Sequence, residues 1–303
     1  MAIKGYRLRA TAAAAVVGGL LAAGHFTLDR RPALQTRPLT VPSASPSPSV
    51  AADVLPDPAA SVGAAVAATL AAYVGAHRAH AGIAVVDRVT GVSVTYNGGV
   101  RFATASVVKV DILATLLWQA QRAGREPTTV QRRRATEMIT ESDNDAADEL
   151  WETVGGAGGV GPANRAFGLH ETSPNRAGYW GMTSTTVADQ VRLLGVLADP
   201  AGPLSTGSRG YLLGLMSRVE SGQRWGVPRA AGTGASAVYV KNGWLASVAD
   251  RGRWIVNSVG RIVEPGHDWL VAVLSDHNPT EAGGISLVEH LARTALTGLR
   301  AGR

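Results

Sequence analysis

Residues 104–111, TASVVKVD, open a long apolar segment and place a serine and a lysine three positions apart. Lysine is rare in this chain: it occurs only at Lys4, Lys109 and Lys241, and every other one of the 29 basic residues is arginine. In a helix, residue i+3 lies one turn beyond residue i on the same face. The stretch therefore predicts a buried helix that begins near Ser106 and carries Lys109 beside it.

The choice of lysine over arginine has a chemical consequence at such a position. Arginine holds its proton at every useful pH, whereas a lysine that is desolvated near another cation can have its pKa lowered toward neutrality. Such a lysine can act as a base toward a neighbouring serine hydroxyl. An isolated S-x-x-K match also fits a capped helix with a surface lysine, so this motif needs support from elsewhere in the chain.

Composition excludes several classes of protein. The chain has 303 residues, 46% of them hydrophobic and 17% charged, which is typical of a globular protein with a sizeable core. Of its formal net charge of +6, residues 1–38 account for +5, so the rest of the chain carries no basic surface that predicts nucleic-acid binding. Because cysteine is absent, disulfides, a thiolate nucleophile and lipid attachment through a cysteine are all excluded.

The first 61 residues differ in composition from the rest. A basic stretch followed by an apolar, Ala-rich run predicts that residues 1–30 form a signal peptide or an N-terminal membrane anchor. Residues 31–61 are rich in Pro, Ala and Ser, which indicates a semi-extended linker. The globular domain is then expected to occupy residues 62–303. We expect the protein to be exported to the cell envelope or beyond it, with or without membrane association.

Hydrophobic periodicity predicts a fold of the α+β type within the α/β class. A helix and a β-hairpin are expected before residue 100, and three β-rich runs followed by a helix close the chain. Helices dominate between them, except for residues 155–185, where Gly, Pro and Asn indicate a loop. We therefore expect a five-stranded antiparallel sheet built from both chain ends, flanked by helices, with an all-helical subdomain inserted between its two halves.

Two further motifs follow the first in order. SDN, at Ser142 to Asn144, lies at an expected helix boundary, and KNG, at Lys241 to Gly243, lies within an expected strand. Alone, SDN is a common capping sequence and a strand lysine is usually a surface residue. Together with S-x-x-K, their order resembles that of the serine β-lactamase and penicillin-binding-protein superfamily, whose signatures are S-x-x-K, S-D-N and K-T-G. The resemblance covers roughly residues 62–300 and is strongest to class A β-lactamase-related serine hydrolases.

The resemblance implies a role for each matching residue. Ser106 would be the acylated nucleophile and Lys109 its proton acceptor. Ser142 would relay a proton to the leaving amine, and Lys241 would supply positive charge for a substrate carboxylate. The residues that the resemblance assigns to substrate binding are Asn144, Asn242, Gly243 and Trp244, with the backbone N–H groups of Ser106 and Trp244 forming the oxyanion hole.

Two departures from the family pattern bear on activity. Asn242 replaces the usual Thr or Ser, so an amide stands where a hydroxyl would bind the substrate carboxylate. The family's deacylating glutamate has only one counterpart, Glu171, which precedes Asn175 at the expected spacing but lies several residues too early. Glu171 is therefore expected to be either a deacylation base or a surface carboxylate.

These observations leave three functions open. The leading expectation is an exported serine hydrolase that opens the β-lactam amide through an acyl-enzyme on Ser106. The alternatives are a penicillin-binding D,D-peptidase and a non-catalytic envelope module with the same fold. We expect a monomer that takes a β-lactam or a peptidoglycan-like peptide and needs no cofactor or metal. His77 and His80 share one helical turn, but no third ligand accompanies them in the sequence, and they are interpreted as surface residues.

Overall fold

The computed structural model describes residues 58–302. The signal or anchor segment at residues 1–30 and most of the expected linker lie outside the described residues. The first helix, α1 (Pro58–Ala76), begins four residues before the expected domain start at residue 62. Proline is well tolerated in the first turn of a helix, because its missing N–H has no intrahelical partner there.

The remaining elements follow the expected order. The strands are β1 (His80–Asp87), β2 (Ser93–Tyr96), β3 (Phe102–Ala103), β4 (Ser184–Thr185), β5 (Ala237–Ala246), β6 (Trp254–Glu264) and β7 (His267–Asn278). The other α-helices are α2 (Val108–Arg122), α3 (Thr129–Thr136), α4 (Asn144–Thr153), α5 (Gly156–Ala166), α6 (Val187–Ala198), α7 (Thr206–Met216) and α8 (Glu281–Ala301).

The main sheet confirms the predicted fold class. Its five strands run in the order β2-β1-β7-β6-β5, and all neighbours pair antiparallel. The hairpin β1–β2 comes from the start of the domain and the three strands β5 to β7 from its end, so the two chain ends meet where β1 pairs with β7. Strand β5 lies at the edge of the sheet, and it carries the KNG motif.

The sheet is buried on both faces, as the alternating side chains of β7 show. Trp269, Val271 and Val273 belong to the core that includes α1 and α8. Leu270 and Leu274 belong to the other core, which includes α2 and α6. Because successive residues of a strand point to opposite faces, one apolar run can serve both cores. The nearly wholly buried α2 lies at the centre of the second core.

One expectation about the helical subdomain is wrong. Residues 155–185 were expected to form a loop, but residues 156–166 form helix α5, although this helix contains four glycines and Pro162. Its Val160 and Ala163 are fully buried in the core that includes α2, so tertiary packing overrides the poor helix propensity of glycine. Gly159 allows the closest approach: a Cβ there would lie 1.6 Å from the carbonyl oxygen of Val154.

Within residues 58–302, no helix combines the length and apolar character needed to cross a bilayer.

The packing of α5 leads to a test with an internal control. Gly159→Ala is expected to lower the free energy of unfolding by about 1–3 kcal/mol, because the new methyl group overlaps the Val154 carbonyl. Gly158→Ala, one residue earlier, meets nothing within 4 Å and is expected to raise it by up to about 1 kcal/mol. Urea denaturation measures both, and equal effects of the two changes would contradict the described packing.

Candidate active site

Ser106 lies in a short 3-10 turn, Ala105–Val107, that runs directly into α2. Its side chain is partly exposed, whereas the residues on either side of it are buried. Ala105 adopts a φ of +44°, which is unfavourable for any residue other than glycine. Such strain persists only where the surroundings enforce it, and it is typical of functional sites.

The sheet enforces this conformation through a buried asparagine. Asn257, in the middle of β6, donates hydrogen bonds from its Nδ2 to the carbonyl oxygens of Ala103 and Thr104, both at 2.9 Å. The backbone N–H of Thr104 donates to the carbonyl oxygen of Thr183 at 2.9 Å. The Thr104 hydroxyl donates to the carbonyl oxygen of Gly181 at 3.3 Å. The segment that precedes Ser106 is therefore fixed from both sides.

Gly243 lets β5 approach the turn that carries Ser106. A Cβ on this residue would lie 2.6 Å from the backbone nitrogen of Ser106 and 2.8 Å from that of Val107. Any side chain here would push the edge strand away from the turn. The KNG glycine thus keeps the edge strand within reach of a group bound at Ser106.

Lys109 lies one turn beyond Ser106 and is fully buried. Its Nζ donates to the carbonyl oxygen of Ser142 at 2.7 Å and to Oδ1 of Asn144 at 2.8 Å, and lies 3.2 Å from the Ser142 hydroxyl. Within residues 58–302 the hydroxyl of Ser106 makes no hydrogen bond. The first two motifs therefore meet at Lys109, one helical turn from Ser106.

The third motif meets the other two at Ser142. The Nζ of Lys241 donates to the Ser142 hydroxyl at 2.9 Å and to the carbonyl oxygen of Asn242 at 2.9 Å. Ser142 itself adopts a left-handed conformation, with φ 59° and ψ 33°, between a turn of π-helix and α4. When both lysines hold their protons and donate to its oxygen, the Ser142 hydroxyl hydrogen is available to another acceptor in the cleft.

Both lysines lose part of their basicity through burial. Desolvation lowers the pKa of Lys109 to about 7, although the negative charges of Asp143 and Asp148 act in the opposite direction. Desolvation and the positive charge of Lys109 hold the pKa of Lys241 well below its usual range. Lys109 can therefore be a neutral amine near neutral pH, which is the state in which it can accept a proton.

An aromatic ring occupies the remaining side of Lys109. The Nζ lies 4.9 Å from the ring centroid of Trp180, and the indole N–H of Trp180 donates to Oδ1 of Asp148 at 2.6 Å. Asp143 uses its Oδ1 to cap α4 through the N–H of Ala146, at 2.7 Å. Among the residues that the structure describes, no carboxylate forms an ion pair or a hydrogen bond with Lys109.

The side chain of Asn242 does not face the candidate site, contrary to the substrate-binding role expected for it, and the side chain of Trp244 lies on the same opposite face. Lys241 and Gly243 face Ser142 and Ser106, so the alternation of β5 turns Asn242 and Trp244 to the other face. Asn242 is fully buried, and its Nδ2 donates to the carbonyl oxygens of Gln223 and Trp225 at 2.7 and 2.9 Å. Trp244 packs edge-on against Trp225. Asn242 therefore holds a loop and has no N–H left for a substrate.

Glu171 also lies apart from the lysines. Its side chain is 50% exposed and forms an ion pair with Arg101, which additionally donates to the Glu171 carbonyl oxygen at 2.6 Å. Asn175, four residues later, accepts hydrogen bonds from the N–H groups of Ala177 and Tyr179 within its own loop. The structure therefore favours the surface alternative for Glu171 over a deacylation base.

Sequence reasoning missed two groups of this site. Asn257 had a visible signal, because it is a polar residue within the apolar strand WIVNSVG, where a buried asparagine must satisfy its amide. Asp148 had none, because it belongs to no motif and 32 residues separate it from its partner Trp180.

Comparisons with known proteins identify the family and the fold. Residues 125–299, more than half of the chain, match the model of the β-lactamase enzyme family. A protein named "Putative lipoprotein LppW" from Mycobacterium bovis and from Mycobacterium tuberculosis is 29% identical over 219 residues, which cover 70% of this chain and 68% of that protein.

Solved structures show the same fold. The acyl-enzyme complex of a PBP-A mutant with penicillin G superposes with a TM-score of 0.67 and 21% identity, and covers 78% of this chain and 97% of that one. The extended-spectrum β-lactamase TLA-1 gives a TM-score of 0.68 at 17% identity, over 78% of this chain and 99% of that one. At these identities the likeness establishes the fold alone.

Burial of Lys109 predicts a pH dependence of stability. Between pH about 7 and its usual pKa of 10.5, the unfolded state holds this proton and the native state does not. The free energy of unfolding therefore rises with pH in this window, by up to about 1.4 kcal/mol per pH unit. Lys109→Met removes this contribution to the pH dependence, while Lys241 remains buried. In urea denaturation, the stability of Lys109→Met relative to the wild type should fall as pH rises from 7.5 to 9.5. A constant difference would contradict a lowered pKa.

Proposed function

The chain belongs to the β-lactamase enzyme family. From this premise we propose that it is a serine enzyme that β-lactams or peptidoglycan-like peptides acylate at Ser106. We propose further that it releases the acyl group slowly. One observation carries the proposal. Two buried lysines converge on the Ser142 hydroxyl, one of them a helical turn from Ser106, whereas no carboxylate of residues 58–302 hydrogen bonds to Lys109.

Acylation uses the groups around Ser142. Neutral Lys109 takes the proton of the Ser106 hydroxyl as its oxygen attacks the amide carbonyl carbon. The amide C–N bond then breaks, and the leaving nitrogen receives a proton through the hydroxyl of Ser142, which Lys109 replenishes. The product is an ester on Ser106, with the proton of its hydroxyl now on the leaving amine.

Charge and backbone dipoles assist this step. Once Lys109 is neutral, its charge no longer opposes protonation of Lys241, and the Lys241 ammonium group, 2.9 Å from the Ser142 hydroxyl, can offer positive charge to a substrate carboxylate. The N–H groups of Ser106 and Trp244 are the proposed donors to the oxyanion, and one such donor contributes about 3 kcal/mol in other hydrolases. Asn144 is the proposed partner of the substrate amide, although in the free protein its Oδ1 accepts from Lys109. Gly243 lets the substrate lie against β5.

Deacylation requires a group that activates water beside the ester. Glu171 is committed to Arg101, and the indole ring of Trp180 lies against Lys109 instead of a carboxylate. Without a base, water attacks the ester slowly and the acyl-enzyme persists. This favours penicillin-binding activity, as in a D,D-peptidase, over the rapid hydrolysis of a β-lactamase. The solved acyl-enzyme of PBP-A with penicillin G, similar in fold, supports such an intermediate.

We further propose that the protein acts in the cell envelope. The basic and apolar composition of residues 1–30 supports export, and a relative is named as a lipoprotein. Residues 31–57 would then separate the enzyme domain from the membrane or from the processing site. Because this chain contains no cysteine, any anchoring would depend on the apolar segment itself.

Persistence of the acyl-enzyme can be measured directly. Incubation of the full chain with penicillin G, followed by intact-mass spectrometry, is expected to show one adduct on Ser106 that remains for many minutes after excess penicillin is removed. Ser106→Ala should form no adduct. Glu171→Gln should leave the rates of formation and loss unchanged, because its carboxylate is bound to Arg101.

Other outcomes would decide against parts of the proposal. Rapid loss of the adduct with release of hydrolysed penicillin would establish a β-lactamase. Loss that is slowed by Glu171→Gln would reinstate Glu171 as the deacylation base. If neither β-lactams nor acyl-D-Ala-D-Ala peptides modify Ser106, the non-catalytic alternative holds.

The close approach of β5 gives a second prediction. Gly243→Ala is expected to slow acylation of Ser106 about 100-fold, because the added methyl group displaces the edge strand from the nucleophile turn. Gly222→Ala, where a Cβ meets nothing within 4 Å, is the matched control and should acylate like the wild type. Stopped-flow measurement with a fluorescent penicillin gives the rates, and urea denaturation establishes that both variants are folded. Equal rates would contradict the geometry of Gly243.

A further inference from the structure

A cluster of histidine and aspartate lies away from the two lysines, where the first and last strands of the domain meet. His80 begins β1 and is the register partner of Asp276 in β7. His277 follows Asp276, and one potential ligand atom from each of the three residues lies within 4.8 Å of the other two. The expectation that His77 and His80 share a helical turn is wrong, because α1 ends at Ala76 and His80 lies in a strand. The sequence showed no third ligand near His80, because Asp276 and His277 lie almost 200 residues away.

The three side chains have the chemistry of a metal site. Nδ1 of His80 contacts Oδ1 of Asp276, and Nε2 of His277 lies 3.6 Å from the same oxygen. Ligand atoms in a tetrahedral zinc site, with bonds of about 2.0–2.2 Å, lie about 3.4 Å apart, which matches the separation of His277 Nε2 and Asp276 Oδ1. His80 and Asp276 are in direct hydrogen-bonding contact and would have to move apart to share an ion. The two histidine side chains are 44% and 47% exposed, so an ion and its water ligand can enter from solvent.

A second carboxylate orients one of the histidines. Nδ1 of His277 contacts Oδ2 of Asp250, which leaves Nε2 directed toward Asp276. Metal-bound histidines usually donate their other ring N–H to a carboxylate in this way, which fixes the tautomer and the ring orientation. His277 also has a φ of +57°, an unfavourable value for a residue other than glycine. A strained backbone that aims a side chain at a cluster is a second feature of a functional site.

From this geometry we propose that His80, Asp276 and His277 bind a divalent transition-metal ion, with Zn²⁺ as the best match and water as the fourth ligand. Two imidazole nitrogens and one carboxylate oxygen suit Zn²⁺ better than Mg²⁺ or Ca²⁺, which prefer oxygen ligands. Asp250 supports the site by holding His277.

The proposed ion would link separate parts of the sheet. His80 belongs to the first strand and His277 to the last, and Asp250 lies in the turn between β5 and β6. That turn joins the strand that carries Lys241 and Gly243 to the strand that carries Asn257. Through Asp250, a bound ion would therefore link the β5–β6 turn to the paired strands β1 and β7. Strands β5 and β6 are the two that hold the turn with Ser106.

The test uses the full chain without a histidine tag, freed of metal by chelation. Titration calorimetry with Zn²⁺ is expected to show one ion per chain. At a free Zn²⁺ concentration about 100 times Kd, the melting temperature should rise by roughly 5 °C or more. Co²⁺ bound in its place should give the visible absorption of a four-coordinate N/O site.

Three variants locate the site. His277→Ala and His80→Ala should each abolish the high-affinity event, and Asp250→Asn, which removes no ligand, should weaken it about 10- to 100-fold. His170→Ala, an exposed histidine outside the cluster, is the control and should bind like the wild type. Absence of binding to the wild-type chain would overturn the proposal and leave a hydrogen-bonded pair of His80 and Asp276. Binding that neither His277→Ala nor Asp250→Asn alters would also overturn it.

Discussion

The arrangement of the candidate site depends on one costly interaction, the burial of two lysine side chains around the hydroxyl of Ser142. Lys109 and Lys241 are both fully buried, and both lie within hydrogen-bonding distance of this oxygen. Two like charges in a low-dielectric site repel each other, and each resists ionisation there. The protein tolerates this arrangement because the carbonyl oxygens of Ser142 and Asn242 and the side chain of Asn144 accept hydrogen bonds from the lysines. The same burial favours a neutral amine at Lys109, which is the group that the proposed acylation requires.

The rest of the fold holds the three motifs at this point. Strand β5 brings Lys241, the start of α4 brings Asn144, and α2 brings Lys109. The left-handed conformation of Ser142 and the positive φ of Ala105 show that the backbone is bent into place at two positions. Asn257 secures the second of these bends from the central part of the sheet. The large hydrophobic cores on the two faces of the sheet stabilise the fold and offset the free-energy cost of these unfavourable conformations.

Patterns in the sequence predicted what depends on local periodicity and on the order of motifs. The hairpin, the closing strands, the flanking helices and the meeting of SVVK, SDN and KNG all followed from such patterns. Residues 156–166 were misassigned because burial against α2 outweighs the low helix propensity of glycine. Asn242 was misassigned because strand alternation sends it to the face opposite Lys241, although it lies within the motif. Glu171 matched a spacing, but Arg101, which comes from 70 residues earlier in the chain, determines its environment. Contacts at that separation leave no trace in local spacing.

The central claim is that Lys109 is a neutral base near physiological pH. The chain contains only three lysines, so ¹³C labelling of lysine gives at most three side-chain resonances to follow. Titration of the free protein by NMR, with Lys109→Arg to assign the signal, should show the ¹³Cε resonance of Lys109 changing with a midpoint at pH about 7. A midpoint near 10.5, the usual value for lysine, would mean that Lys109 remains an ammonium group and cannot take the proton from Ser106.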